Sequence, residues 1–137
     1  MAGLPKILLV EDTVSIADIY TQVLTKQGYP LKVVATVDDL LKVAPEYKPD
    51  LIFLDIMLPG GKTGLDALKI LRNDEQYGAT KTRIVLLTNL GQNEEVQKMW
   101  EKYADGYVIK AEIDPHELSD IIKSFNFETP LPSEPIN

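Results

Sequence analysis

Five short, largely apolar runs, each giving way to a polar residue, recur along this chain, and they constrain its fold more than any other feature. They occupy residues 6–10, 31–35, 51–55, 83–87 and 105–109. A short apolar run bounded by turn residues reads as a strand buried on both faces, the condition of a parallel sheet covered by helices. Between the runs, apolar residues are spaced for helices. Ile16, Ile19, Tyr20, Val23 and Leu24 follow the i, i+3, i+4, i+7, i+8 pattern, with Gly28 as the stop. Thr36 and Asp39 resemble a capping box ahead of Leu40, Leu41 and Ala44, and Pro45 and Pro49 are expected to close that helix. Thr63 and Asp66 repeat the cap before Leu65, Leu68 and Leu71. Val96, Met99, Trp100 and Tyr103 form a fourth apolar stripe, expected to be core and not interface. Asp114, Pro115 and Glu117 predict a fifth start, an acid at the N-cap and proline at the first helical position, ahead of Leu118, Ile121, Ile122 and Phe125.

Five strands alternating with five helices imply an α/β fold with helices on both faces of a parallel sheet. Right-handed crossovers favour a doubly wound, flavodoxin-like (βα)5 sheet in the order 2-1-3-4-5. In such sheets ligands bind beyond the carboxyl ends of the strands, where the order reverses. The stretch LIFLDIMLPG, residues 51–60, puts Asp55 at one of those ends, and the first run ends in Glu11 and Asp12. Three carboxylates brought together repel, so they are expected to share a proton or to bind a hard cation, and Mg²⁺ suits the donor set. The plainer reading is that Glu11 and Asp12 only cap the first helix. Thr88 and Lys110 end the fourth and fifth runs and supply the donors this crevice otherwise lacks. Lysine can pair with a carboxylate or a phosphoryl oxygen, and threonine can hydrogen-bond such an oxygen. Read singly, Thr88 is an ordinary β-branched residue and Lys110 a solvated one.

Charge narrows the partners. With 21 acidic against 14 basic residues the chain carries a net charge of -7, which disfavours direct contact with nucleic acid or an anionic membrane and favours a cation or basic surface. The absence of cysteine excludes disulfides and thiolate metal sites. The N-terminal apolar run is too brief for a secretory signal and no stretch reaches the length of a membrane span, so a cytoplasmic location is expected. One domain is expected over residues 1–126, followed by a flexible proline-rich tail over 127–137.

Over residues 6–125 the sequence resembles the receiver domains of bacterial two-component response regulators. The resemblance rests on ILLVED at 7–12, LIFLDIMLPG around Asp55, Thr88 after IVLL, and YVIK at 107–110, in that order and at strand ends. It implies the 2-1-3-4-5 order, which is partly taken from it, and a stand-alone, chemotaxis-regulator-like domain. It also implies that Asp55 is a phosphoacceptor, served by a phosphohistidine on a sensor histidine kinase or phosphotransfer protein. Asp12 and Asp55 would hold Mg²⁺ with the backbone carbonyl of Met57, Glu11 would act through water or as a further ligand, and Lys110 would add positive charge. Thr88 and Tyr107 would form a switch that alters the face of the fourth helix, fifth strand and fifth helix, where a downstream protein of unknown identity is met. Such a domain catalyses only its own phosphorylation and dephosphorylation and is not otherwise an enzyme.

The sequence departs from the family pattern at several positions. Asn89 stands where alanine or glycine is usual, Ala111 replaces the usual proline after the lysine, and the 59–64 loop is one residue longer. Met57 and Leu90 occupy positions that the resemblance ties to phosphoryl lifetime, and His116 carries no assigned role. A receiver-like scaffold that is never phosphorylated is one alternative. An aspartyl-nucleophile phosphatase is another, although it would want a second acid where Met57 stands. A flavodoxin-like cofactor binder would want a glycine- or hydroxyl-rich phosphate loop where Glu11 and Asp12 stand.

Overall fold

Strand and helix alternate from Ile7 to Ser124 in a computed structural model that describes residues 4–88 and 94–125, the side chains of residues 95, 96, 99 and 100 excepted. The strands are β1 (Ile7–Val10), β2 (Leu31–Val34), β3 (Leu51–Asp55), β4 (Arg83–Thr88) and β5 (Gly106–Ile109). The helices are α1 (Val14–Lys26), α2 (Val37–Tyr47), α3 (Gly64–Asn73), α4 (Glu94–Tyr103) and α5 (Glu117–Ser124). All neighbouring strands run parallel in the order β2-β1-β3-β4-β5, the predicted winding. Val10 is level with Val34 and Leu54, Asp55 with Leu87, and Thr88 with Ile109, so the carboxyl ends form one even edge.

Side chains alternate across a strand, so the sheet separates two cores. Leu8, Ile52, Leu54, Ile84 and Leu86 pack with Leu40 and Ala44 of α2 and Leu68 and Leu71 of α3. Ile7, Leu9, Leu51, Phe53 and Val85 pack with Tyr20 and Leu24 of α1 and Leu118 and Ile122 of α5. Full burial of each such side chain contributes about 1.5–3 kcal/mol. Tyr103 of α4 joins the first core as a partly buried member. The expected burial of Val96, Met99 and Trp100 lies outside the described side chains, and Asn89, Leu90 and the 127–137 tail lie outside the described residues.

The caps act much as their residue types dictate. Thr63 and Asp66 complete a reciprocal box at α3: Asp66 N–H donates to Thr63 Oγ1 over 3.2 Å, and Thr63 N–H to Asp66 Oδ2 over 2.8 Å. Thr36 caps α2 by accepting from Asp39 N–H at 3.1 Å. Two boundaries differ from expectation. Pro45 does not close α2 but lies inside its final stretch, and the helix continues to Tyr47. Proline there gives up one bond to the Leu41 carbonyl near a terminus, while Lys48 N–H still reaches the Ala44 carbonyl at 2.9 Å. The turn at residues 114–116 precedes α5 instead of opening it. Asp114 Oδ1 accepts from His116 N–H at 2.9 Å and Glu117 Oε1 from Asp114 N–H at 3.0 Å, which closes a separate turn before the helix begins. Among the described residues no helix is long and apolar enough to cross a membrane.

Candidate functional site

The level carboxyl edge of the sheet is what gathers the polar residues. Glu11 N–H extends the ladder by donating to the Val34 carbonyl at 3.0 Å, and Lys110 N–H donates to the Thr88 carbonyl at 2.7 Å. Ile56 N–H, just past Asp55, donates to the Leu87 carbonyl at 3.0 Å. Backbone pairing thus holds the residues that follow three of the strands before any side chain interacts.

Glu11, Asp12 and Asp55 each bring a carboxylate oxygen within 4.8 Å of the others. The Lys110 ammonium lies between two of them, 2.8 Å from Glu11 Oε1 and 2.9 Å from Asp55 Oδ2. All three of these side chains are at most 5% exposed. The remaining oxygens are also used: Asp55 Oδ1 accepts from Met57 N–H and Glu11 Oε2 from Thr13 N–H, both at 3.1 Å. Capping is therefore part of what Glu11 does, since Thr13 is the N-cap of α1, but its other oxygen belongs to the lysine. Asp12 is exposed and Met57 is 59% exposed, so the crevice opens to solvent at these two residues.

Strand alternation places the other predicted residues. Tyr107 is level with Leu86 and packs, half-buried, on the α2 and α3 side of the sheet. Thr88, two residues beyond Leu86, takes the same side and is buried. Glu11, Asp55 and Lys110 take the α1 and α5 side by the same rule, so the predicted residues divide between the faces at a shared edge.

Burial is the main reason that the Asp55 carboxyl is pushed up to about 6, and the charge of Glu11 adds to it, while the hydrogen bond from Lys110 pulls the other way. For Lys110, burial alone would lower the value. Its hydrogen bonds to Glu11 and Asp55 overcome that and hold the ammonium above the usual lysine range. Both shifts describe one buried ionic cluster with an excess of negative charge.

Two residues of the site had not been singled out for it. Gly64 opens α3 directly against Asp55: a Cβ there would strike the Asp55 backbone carbonyl and lie 2.8 Å from Ile56 Cα. The glycine-rich loop was the available signal, but a close approach between distant segments has no local signature. Tyr20 of α1 is 4% exposed, and its hydroxyl is raised chiefly by burial, against Lys110 and with Glu11 and Asp55. Its helical spacing had marked it only as core.

Three clustered carboxylate donors, one of them exposed, fit a hard divalent cation such as Mg²⁺, which takes oxygen ligands and retains water. The molecule is thus a flavodoxin-like α/β domain with a carboxylate–lysine centre at its topological switch point. Residues 7–123 match the response regulator receiver domain, and the chain belongs to that family. Relatives include the transcriptional regulatory protein AfsQ1 of Streptomyces coelicolor, 36% identical over 78% of this chain and 45% of that protein. The DNA-binding response regulator MtrA of Mycolicibacterium smegmatis is 36% identical over 82% of this chain and 46% of its own length. This chain spans about half the length of the curated relatives it matches. Among solved structures, the chemotaxis protein CheY4 of Vibrio cholerae superposes with a TM-score of 0.78 at 26% identity, covering 89% of this chain and 98% of that one.

Proposed function

We propose that this receiver is a phosphorylation switch in which Asp55 accepts the phosphoryl group. The carrying observation is the buried Glu11–Lys110–Asp55 cluster with Asp12 beside it, because phosphoryl transfer asks a protein mainly for positioning and charge neutralisation. Asp55 Oδ attacks the phosphorus of a phosphohistidine on a sensor histidine kinase or phosphotransfer protein. The P–N bond breaks, the imidazole leaves, and Asp55 becomes an acyl phosphate that water later hydrolyses. Lys110 turns from the Asp55 carboxylate to the new phosphoryl oxygens. Asp12, Asp55 and the Met57 carbonyl would hold Mg²⁺, with Glu11 acting through water, and the cation would supply positive charge to the transferring group. Val14, Ile19 and Met57, exposed apolar residues of α1 and the post-β3 loop, suit contact with a protein donor.

Thr88 and Tyr107 carry the response, since they share the sheet face opposite the ionic cluster. The Thr88 hydroxyl moves toward the phosphoryl group, and Tyr107 turns into the space it leaves, biasing the α4–β5–α5 face between two states. The phosphatase alternative is weakened by Met57, which offers no second acid and binds Asp55 only through its N–H.

The test is incubation with acetyl phosphate and Mg²⁺ followed by intact mass measurement. Wild type gains a phosphoryl adduct and Asp55→Asn gains none. No adduct on wild type leaves the unphosphorylated scaffold standing, and an adduct that survives the substitution moves the acceptor elsewhere.

A further inference from the structure

At the other end of the sheet Arg72, in the last turn of α3, makes contacts that phosphoryl chemistry does not use. Its guanidinium donates from Nε to the Tyr103 carbonyl at 2.6 Å and from Nη2 to Asp105 Oδ2 at 2.9 Å. From Nη1 it reaches the carbonyls of Ala79 at 3.1 Å, Thr80 at 3.3 Å and Thr82 at 2.5 Å. Asp105 Oδ2 also accepts from Ile84 N–H at 2.9 Å, at the start of β4, and Asp105 Oδ1 takes Arg83 at 3.3 Å. Arg83 in turn lies over the ring of Phe125, which caps α5, 5.7 Å from its centre. Tyr103 is the last residue of α4 and Asp105 immediately precedes β5. One planar fork therefore binds the α4–β5 turn to α3 and to the entrance of β4, a geometry that the point charge of lysine cannot reproduce.

A helix fixed at one end can respond only by moving the other. The far end of α4 begins at Glu94, on the side of Thr88. We propose that Arg72 and Asp105 form a fixed pivot for α4. A change at Asp55 and Thr88 is thereby converted into a swing of the helix's N-terminal end, with the α4–β5 turn as its hinge. Arg72 is a positioning residue for the response, remote from the chemistry. This inference rests on the phosphoswitch reading of the carboxyl edge.

The experiment is hydrogen exchange by mass spectrometry on the full chain, free and with Mg²⁺ and beryllofluoride as phosphoryl mimic, alongside intact mass after acetyl phosphate. In wild type the mimic changes protection at residues 94–98 and leaves residues 103–106 within about twofold. Arg72→Lys forms the same adduct, yet residues 103–106 exchange about tenfold faster and the mimic-dependent difference at 94–98 largely disappears. Should Arg72→Lys fold poorly, Asp105→Asn gives the same pattern at smaller amplitude. A wild-type change spread evenly through residue 106, or a variant that keeps the full difference at 94–98, overturns the pivot. Absence of any adduct on wild type overturns it by a separate route, since the switch itself is then missing.

Discussion

The two ends of the sheet hold clustered charges in opposite balance. At the carboxyl edge three carboxylates gather with one ammonium, which pairs with two of them, whereas at the amino edge two guanidiniums share one carboxylate. Arg72 directs its remaining donors at neutral carbonyls, so each charge finds partners and the cluster is complete. Lys110 pairs with Glu11 and Asp55 but not with Asp12, and the Asp55 carboxyl is raised by its burial first and by the charge of Glu11 second. Hydrogen bonding is common to both ends. Charge balance separates a cluster whose charges are partnered within the protein from one with surplus carboxylate, which suits the cation and phosphoryl group of the proposed function.

That contrast breaks first at Lys110. Lys110→Met leaves Glu11 and Asp55 buried and unpaired, which costs about 3–5 kcal/mol in urea unfolding without metal. The loss should shrink when Mg²⁺ is added or the pH is lowered, because a cation or a proton replaces the ammonium. Asp105→Ala comes next, at about 2–4 kcal/mol, since it strands Arg72 and the Ile84 amide. Its loss should ignore Mg²⁺. Equal Mg²⁺ sensitivity at both ends would erase the distinction between them.

Asp55→Asn should produce the smallest effect, with the opposite sign: a gain of about 1–2 kcal/mol at pH 7 in metal-free protein. The folded carboxyl titrates near 6, above its ordinary 3.8, so between those values the folded state keeps a proton that the unfolded chain has lost. Stability contributed by Asp55 is therefore greatest below about pH 4 and falls as the pH rises through 6. Urea unfolding across that range should show a slope that Asp55→Asn reduces. An unchanged slope would show that the Asp55 carboxyl is not raised in the folded protein.

Much of the fold was legible because its signals are local. Unbroken apolar runs, helical spacing and the Thr63–Asp66 cap each follow from a few neighbouring residues, and strand-end positions alone drew attention to Glu11, Asp55, Thr88 and Lys110. Pro45 misled because proline reads as a stop, although a terminal stretch of helix tolerates one missing bond. The Lys110–Glu11 pair spans 99 residues and depends on the register of neighbouring strands, which no local pattern encodes. Gly64 against Asp55, and Arg72 with Asp105, were hidden for the same reason: each is a contact between elements whose approach is set only by the packed sheet.

The most direct test of the central claim is to locate the phosphoryl group itself. After acetyl phosphate and Mg²⁺, borohydride reduction converts an aspartyl phosphate to homoserine, and peptide mass mapping shows where. Homoserine at position 55, dependent on Mg²⁺, is the expected result. Homoserine at position 12 instead, or none at any position, would contradict Asp55 as the acceptor.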